Sequence, residues 1–244
     1  MNHGASGHLW HQLAAYLMTS HRPSGILVAG TALLALAAVG SRRIWPVSRT
    51  VVTIAHEGGH ALVALLTGRR LDSVRVLRST AGLTVSSGSP TGAGIVLTAA
   101  AGYTAPPLLG LGAAALIATG HLFSMLLVSL AALTGLAVAV RNAYGILAIL
   151  LTGAAIVAVL WRGSVLAEAV SGYLMTWFLL LGGVRPVLEL QHSRRRTARG
   201  MPARGTTDAD QLAALTGVPG GLWVFLFGLV ALTALAVSAF WLIT

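Results

Sequence analysis

Between residues 24 and 243 the chain runs through seven apolar stretches separated by short polar breaks: 24–40, 44–67, 94–118, 121–140, 143–161, 164–184 and 218–243. Most approach the roughly 20 residues that a helix needs to cross a ~30 Å hydrocarbon core. The pattern predicts an all-α polytopic membrane protein with about six to seven transmembrane helices. Two stretches depart from it. Between Leu71 and Gly88, the apolar Val74, Val76, Leu83 and Val85 alternate with polar residues around Ser79-Thr80-Ala81-Gly82. That predicts a small β-hairpin over 71–88, directly after the second apolar stretch. Gln191 to Thr207 is rich in Arg, Gly, Ser and Thr, and reads as an exposed loop over 191–207. Pro106-Pro107 is expected to kink or break the third span. Residues 1–23 read as a polar, interfacial segment, with His3, His8 and His11 in a frayed terminus and an apolar patch, Leu9 to Met18, too short to cross. Residues 24–244 read as one membrane-embedded domain.

Composition agrees with this pattern. Hydrophobic residues make up 56% and charged residues 9% of the 244 residues, too little charge to cover a soluble surface. Cysteine is absent, which excludes disulfides, thiolate metal sites and cysteine nucleophiles. The formal charge is +10. The arginines that carry it sit at span ends and in one loop, not along a helix face. They read as topology anchors at lipid headgroups, so no nucleic-acid partner is expected. With seven spans, the arginine excess puts the N-terminus, the hairpin and the 191–207 loop in the cytoplasm of a bacterial inner or plasma membrane.

Acidic residues are only six, and an ionisable residue inside a span is a functional candidate by default. The second span holds His56-Glu57-Gly58-Gly59-His60, an H-E-x-x-H motif. On a helix, positions i and i+4 lie on one face about 6 Å apart, which suits two neighbouring ligands of a tetrahedral Zn²⁺. Glu57 beside them suits a general base, which takes a proton from a metal-bound water and passes it to the leaving amine. A buried polar cluster that ties helices together, or a proton relay, is the other reading of the same residues.

On these residues the chain resembles the site-2 protease family of intramembrane zinc metalloproteases, and within it the compact bacterial "B-like" branch. The resemblance rests on His56-Glu57-Gly58-Gly59-His60-Ala61 followed by Gly68, the hairpin after that helix, Ala101-Gly102-Tyr103 with Pro106, and Thr207-Asp208-Ala209-Asp210 through Trp223. It implies one zinc ion per chain and cleavage of peptide bonds in or near transmembrane segments of membrane-protein or peptide substrates in the bilayer. The family's usual third ligand is the Asp of an L-D-G motif, which this sequence lacks. Asp208 is the expected substitute; Glu189, in Pro186-Val187-Leu188-Glu189-Leu190, is the alternative, and Asp210 a lesser one. The competing roles are a helix cap for Asp208 and an i, i+4 ion pair with Arg185 for Glu189. Asn142 could bind a substrate carbonyl or cap the next helix. Tyr103 and Thr104 read as helix packing around Gly102. The hairpin, through Val74 and Val85, could take an extended substrate as a further strand. Two functions of other classes remain: an inactive scaffold or chaperone of the same fold, and a small metal or proton transporter.

Overall fold

The structure, a computed structural model, describes residues 24–77, 82–201 and 205–244. The Leu9–Met18 patch, His3, His8, His11 and the Ser79-Thr80-Ala81 part of the turn lie outside the described residues. The elements in chain order are α1 (Gly25–Gly40), α2 (Trp45–Leu66), β1 (Arg70–Arg75), β2 (Leu83–Ser87), α3 (Ala93–Ala118), α4 (Leu122–Ala139), α5 (Ala143–Arg162), α6 (Val165–Ala198), α7 (Asp208–Thr216) and α8 (Gly220–Ile243). The chain is an all-α polytopic membrane protein with one two-stranded sheet.

Helix α3 is the hub and packs against α2, α4, α6, α7 and α8. Its buried face is made of small residues, Ala99, Ala101, Gly102, Gly110, Ala113 and Ala114, which let neighbouring backbones approach closely. Pro106 and Pro107 lie inside α3, and of the expected kink or break the break does not occur: the helix runs unbroken from Ala93 to Ala118. The prolines remove two backbone donors. Gly183 of α6 closes over Pro107, where a Cβ would stand 2.8 Å from the proline ring, so protein and not lipid covers the freed backbone.

Five helices, α3, α4, α5, α6 and α8, are long and apolar enough to cross a membrane. The first two apolar stretches behave differently. α1 and α2 meet at 103° across a four-residue break, so together they count as one broken or re-entrant span. That corrects the upper figure of seven to six. The sharp turn is built at 41–44, where the Ser41 hydroxyl accepts from the backbone N–H of Arg43 and Ile44, at 3.2 Å each. The Arg185 guanidinium donates to the Val39 carbonyl, and the Trp45 indole donates to Glu189 Oε1 at 2.9 Å. The bend therefore lies beside the C-terminal part of α6. Leu190 of that part shares a core with Ala99 near the start of α3 and with Ala209 and Leu212 of α7. The bend, the start of α3 and α7 thus all meet the C-terminal half of α6.

The first part of the loop expected over 191–207, residues 191–198, is helix. α6 continues to Ala198, 34 residues or about 51 Å, well beyond a ~30 Å core. The polar Gln191–Thr197 stretch satisfies its own backbone in helical form and projects past the apolar layer, so polarity there marks depth and not irregular structure. The chain then returns through α7. Thr207 is its N-cap in a capping box with Asp210, one residue earlier than a cap at Asp208 would require. Ala209 and Leu212, both fully buried, seat α7 against α3, α6 and α8.

The hairpin is antiparallel, with Val74 opposite Thr84 and Arg75 opposite Leu83. Its inner side docks through Val74 and Val76, both fully buried in a cluster with Ile54, Ala61, Val140 and Ile149. The outer edge of β1 is already occupied. Arg141 N–H donates to the Val74 carbonyl at 2.9 Å, and the Asn142 amide pairs with both the N–H (3.1 Å) and the carbonyl (2.7 Å) of Val76.

Candidate metal centre

Helix α2 supplies His56, Glu57 and His60, and the packing of its glycines brings them to α3. A Cβ on Gly59 would collide with Ala105 and stand 2.9 Å from the Ala101 carbonyl. Gly102 of α3 presses against the imidazoles themselves: a Cβ there would overlap Nε2 of His60 and stand 2.6 Å from Nε2 of His56. Gly59 and Gly102 are therefore what lets α3 lie against α2 and its pair of imidazoles, whereas Gly58 faces Leu136 of α4 at ordinary contact distance.

His60 Nδ1 lies 2.7 Å from the Thr98 carbonyl. A carbonyl only accepts, so Nδ1 carries the proton and Nε2 presents its lone pair inward. His56 is held by Tyr103, edge to face at 4.9 Å, and Tyr103 stacks on Phe227 at 5.1 Å. From the other side, α7 brings Asp208. Its Oδ2 is 3.2 Å from His56 Nε2 and 3.3 Å from His60 Nε2, while the two Nε2 atoms are 3.2 Å apart.

Those three separations match a metal site. Three cis ligands of a tetrahedral zinc with bonds near 2.0–2.1 Å stand about 3.3 Å from one another. Asp208 Oδ2 is buried and makes no hydrogen bond. Lone pairs meeting at one point, one of them on an orphaned carboxylate oxygen, fit a cation between them. Among the described residues, His56, His60 and Asp208 are the group of such side chains close enough to hold an ion.

Glu57 is 2% exposed, and its Oε1 lies 4.0 Å from His56 Nε2. Its Oε2 accepts from the Thr84 hydroxyl of β2 at 2.6 Å. Gly82, just before β2, lies so close that a Cβ would overlap the Glu57 carboxylate. A cavity of about 70 Å³ opens beside His56, lined by Trp45, Arg49, Thr53, Gly82, Tyr103 and Pro186 among others.

The remaining candidates lie elsewhere. Glu189 accepts from Trp45 and from Arg185 (3.0 Å) and stands 3.8 Å from Arg49, directed away from the imidazoles. Asp210 bonds Arg194 of α6 and both the hydroxyl (2.7 Å) and the N–H (3.1 Å) of Thr207, so it anchors α7. Burial pushes its carboxyl up, and these partners pull it below the ordinary value. Asn142 occupies the N-cap position of α5, as one of its two expected roles had it, but its side chain makes no capping bond and does not reach the centre; its amide instead ties the hairpin to α5. Val74 is core and is not available to a substrate, whereas Val85 is 41% exposed on β2. Reasoning from sequence missed Thr84, Gly82, Thr98 and the Arg194–Asp210 pair. Period-2 alternation puts Thr84 and Ser86 on one face, but nothing local says that this face meets Glu57.

Fold and site together define a multi-pass membrane protein with a two-histidine, one-carboxylate cluster beside a buried glutamate on a membrane helix. The chain belongs to the Peptidase M50B-like family, whose model matches residues 29–238, and so to the site-2 protease branch. No curated protein and no solved structure matches it.

Proposed function

We propose that the protein is an intramembrane zinc endopeptidase that hydrolyses peptide bonds in or near transmembrane segments of other membrane proteins. The observation that carries this reading is the 3.2–3.3 Å triangle of His56, His60 and Asp208 with Glu57 next to it. One zinc ion per chain, held by those three side chains, would polarise the scissile carbonyl and make water acidic enough to attack near neutral pH. Glu57 takes the proton of the attacking water on Oε1, the oxygen nearer His56, and delivers it to the departing amine. Thr98 holds the tautomer of His60, and Tyr103 braces the His56 ring. The cavity beside His56 has room for about two waters, which supplies a wet approach to a site otherwise walled by helices.

A peptide bond inside a helix is shielded by its own hydrogen bonds, so a substrate must be held extended. β1 is closed on its outer side by Arg141 and Asn142, which leaves the edge of β2 for a substrate strand. The arginine distribution favours a bacterial cell membrane with the hairpin end in the cytoplasm.

The test is metal content and hydrolysis of a membrane-spanning peptide by purified protein. The wild type is expected to carry one zinc and to cleave. His56→Ala and His60→Ala lose the metal, and Glu57→Gln keeps it and loses cleavage. Full activity in Glu57→Gln would overturn the assignment.

A further inference from the structure

Thr84 stands on β2 with its side chain turned into the molecule and its neighbours Leu83 and Val85 turned out. Its hydroxyl reaches Glu57 twice, 2.6 Å from Oε2 and 3.3 Å from the backbone carbonyl. Gly82 covers the same carboxylate from the same strand end. Glutamate has three rotatable side-chain bonds, and a buried carboxylate needs a polar partner to hold one rotamer. Oε2 has that partner in Thr84, which leaves Oε1 toward His56.

The strand is itself held firmly. Arg69, 9% exposed, donates to Ser86 Oγ at 3.2 Å and to the Ser89 carbonyl at 2.6 Å. β1 pairs Val74 with Thr84, and the segment Val140–Asn142 clamps β1. Thr84 thus sits where a rigidly docked strand meets the glutamate, on the strand with the open edge.

We infer that Thr84 is a positioning residue for Glu57: it anchors Oε2 so that Oε1 faces the His56–His60–Asp208 centre, and it ties the setting of that glutamate to the strand on which an extended substrate docks. This rests on the peptidase reading above. A base set by Thr84 predicts an effect on turnover and not on substrate capture, because the threonine hydroxyl touches Glu57 and the substrate edge lies on the other side of β2.

The experiment compares Thr84→Val, Thr84→Ser and, as a control at a threonine remote from the centre, Thr134→Val in the full-length protein. Each variant is assayed for kcat and KM on a membrane-spanning peptide and for zinc content. Thr84→Val, which keeps the shape and removes the hydroxyl, is expected to lower kcat about ten- to a hundredfold, with KM within about twofold and zinc unchanged. Thr84→Ser restores most of the rate, and Thr134→Val leaves kcat near wild type. Undiminished kcat in Thr84→Val, no rescue by serine, or loss of zinc would overturn the inference. A second readout needs no turnover: thermal melting in the cycle of Thr84→Val, Glu57→Gln and the double variant. Non-additive shifts report the contact, and additive shifts remove it. A wild type that binds zinc, shows the coupling and cleaves nothing counts against the peptidase reading, not against the contact.

Discussion

Gly102 has no side chain because two imidazoles occupy the space a Cβ would need. Gly102→Ala should therefore separate folding from metal binding. Alanine favours the helix by about 1 kcal/mol over glycine, so α3 should persist. The methyl group displaces the His56 and His60 rings, and zinc content should fall well below one per chain. Retained zinc would show that the rings can move aside. The carboxylates separate in the same way. Asp208→Asn keeps the size of the side chain and removes its charge, and Thr207, not Asp208, caps α7. It should weaken zinc binding by about an order of magnitude or more while α7 stays folded. Glu189→Gln still offers Trp45 an acceptor and touches no imidazole, so its zinc content should match wild type. Equal metal loss in both variants would contradict the geometry. The two histidines and Glu57 were legible in sequence because one helical turn fixes their relation. The third carboxylate lies 148 residues from His60, and no local pattern could choose between Asp208 and Glu189.

At the scale of elements, α7 is a short helix that exists to present one side chain. Its first turn is held by the Thr207–Asp210 box and by Arg194 from α6. Arg194→Met should loosen α7 and weaken zinc binding a few-fold, a modest effect because the pair is partly exposed. A titration with a zinc chelator measures it. The hairpin makes two different predictions on its two strands. Val85→Pro removes an N–H from β2 and should impair cleavage of long substrates with zinc retained. Val74→Pro strikes a fully buried position clamped by Arg141, and should destabilise the hairpin and the site together. If Val85→Pro cleaves a long substrate at the wild-type rate, strand addition to β2 is wrong. That a hairpin would form was readable from alternation; which of its edges is open was not, because Asn142 and Arg141 come from a junction far along the chain.

For the whole molecule, the bend between α1 and α2 decides sidedness. A single crossing by the pair, the arrangement tested below, puts Ser24 and the hairpin on opposite faces, whereas a re-entrant pair, like seven spans, keeps them on the same face. The absence of cysteine makes the test clean. In intact cells an impermeant thiol reagent should label Ser24→Cys and spare Ser193→Cys, which reacts after lysis. Labelling of both on one side would mean that α1 and α2 cross separately or re-enter together.

The sequence by itself determined the membrane class, the bounds of most apolar helices and the His56-Glu57-His60 unit. These depend on transfer energy and on periodicity, which act over a few neighbouring residues. It misjudged the elements whose character depends on surroundings. Pro106-Pro107 stays helical because α6 covers it. Polar 191–198 stays helical because α6 extends out of the apolar layer. A second apolar stretch of normal length turns by 103° because its start is tied to α6 through Trp45 and Glu189. Only the tertiary structure decided that Asp208 meets the imidazoles and that Thr84 meets Glu57. Both contacts join segments whose separation in the chain carries no local signal, and burial with complementary charge selects them only after the helices have packed.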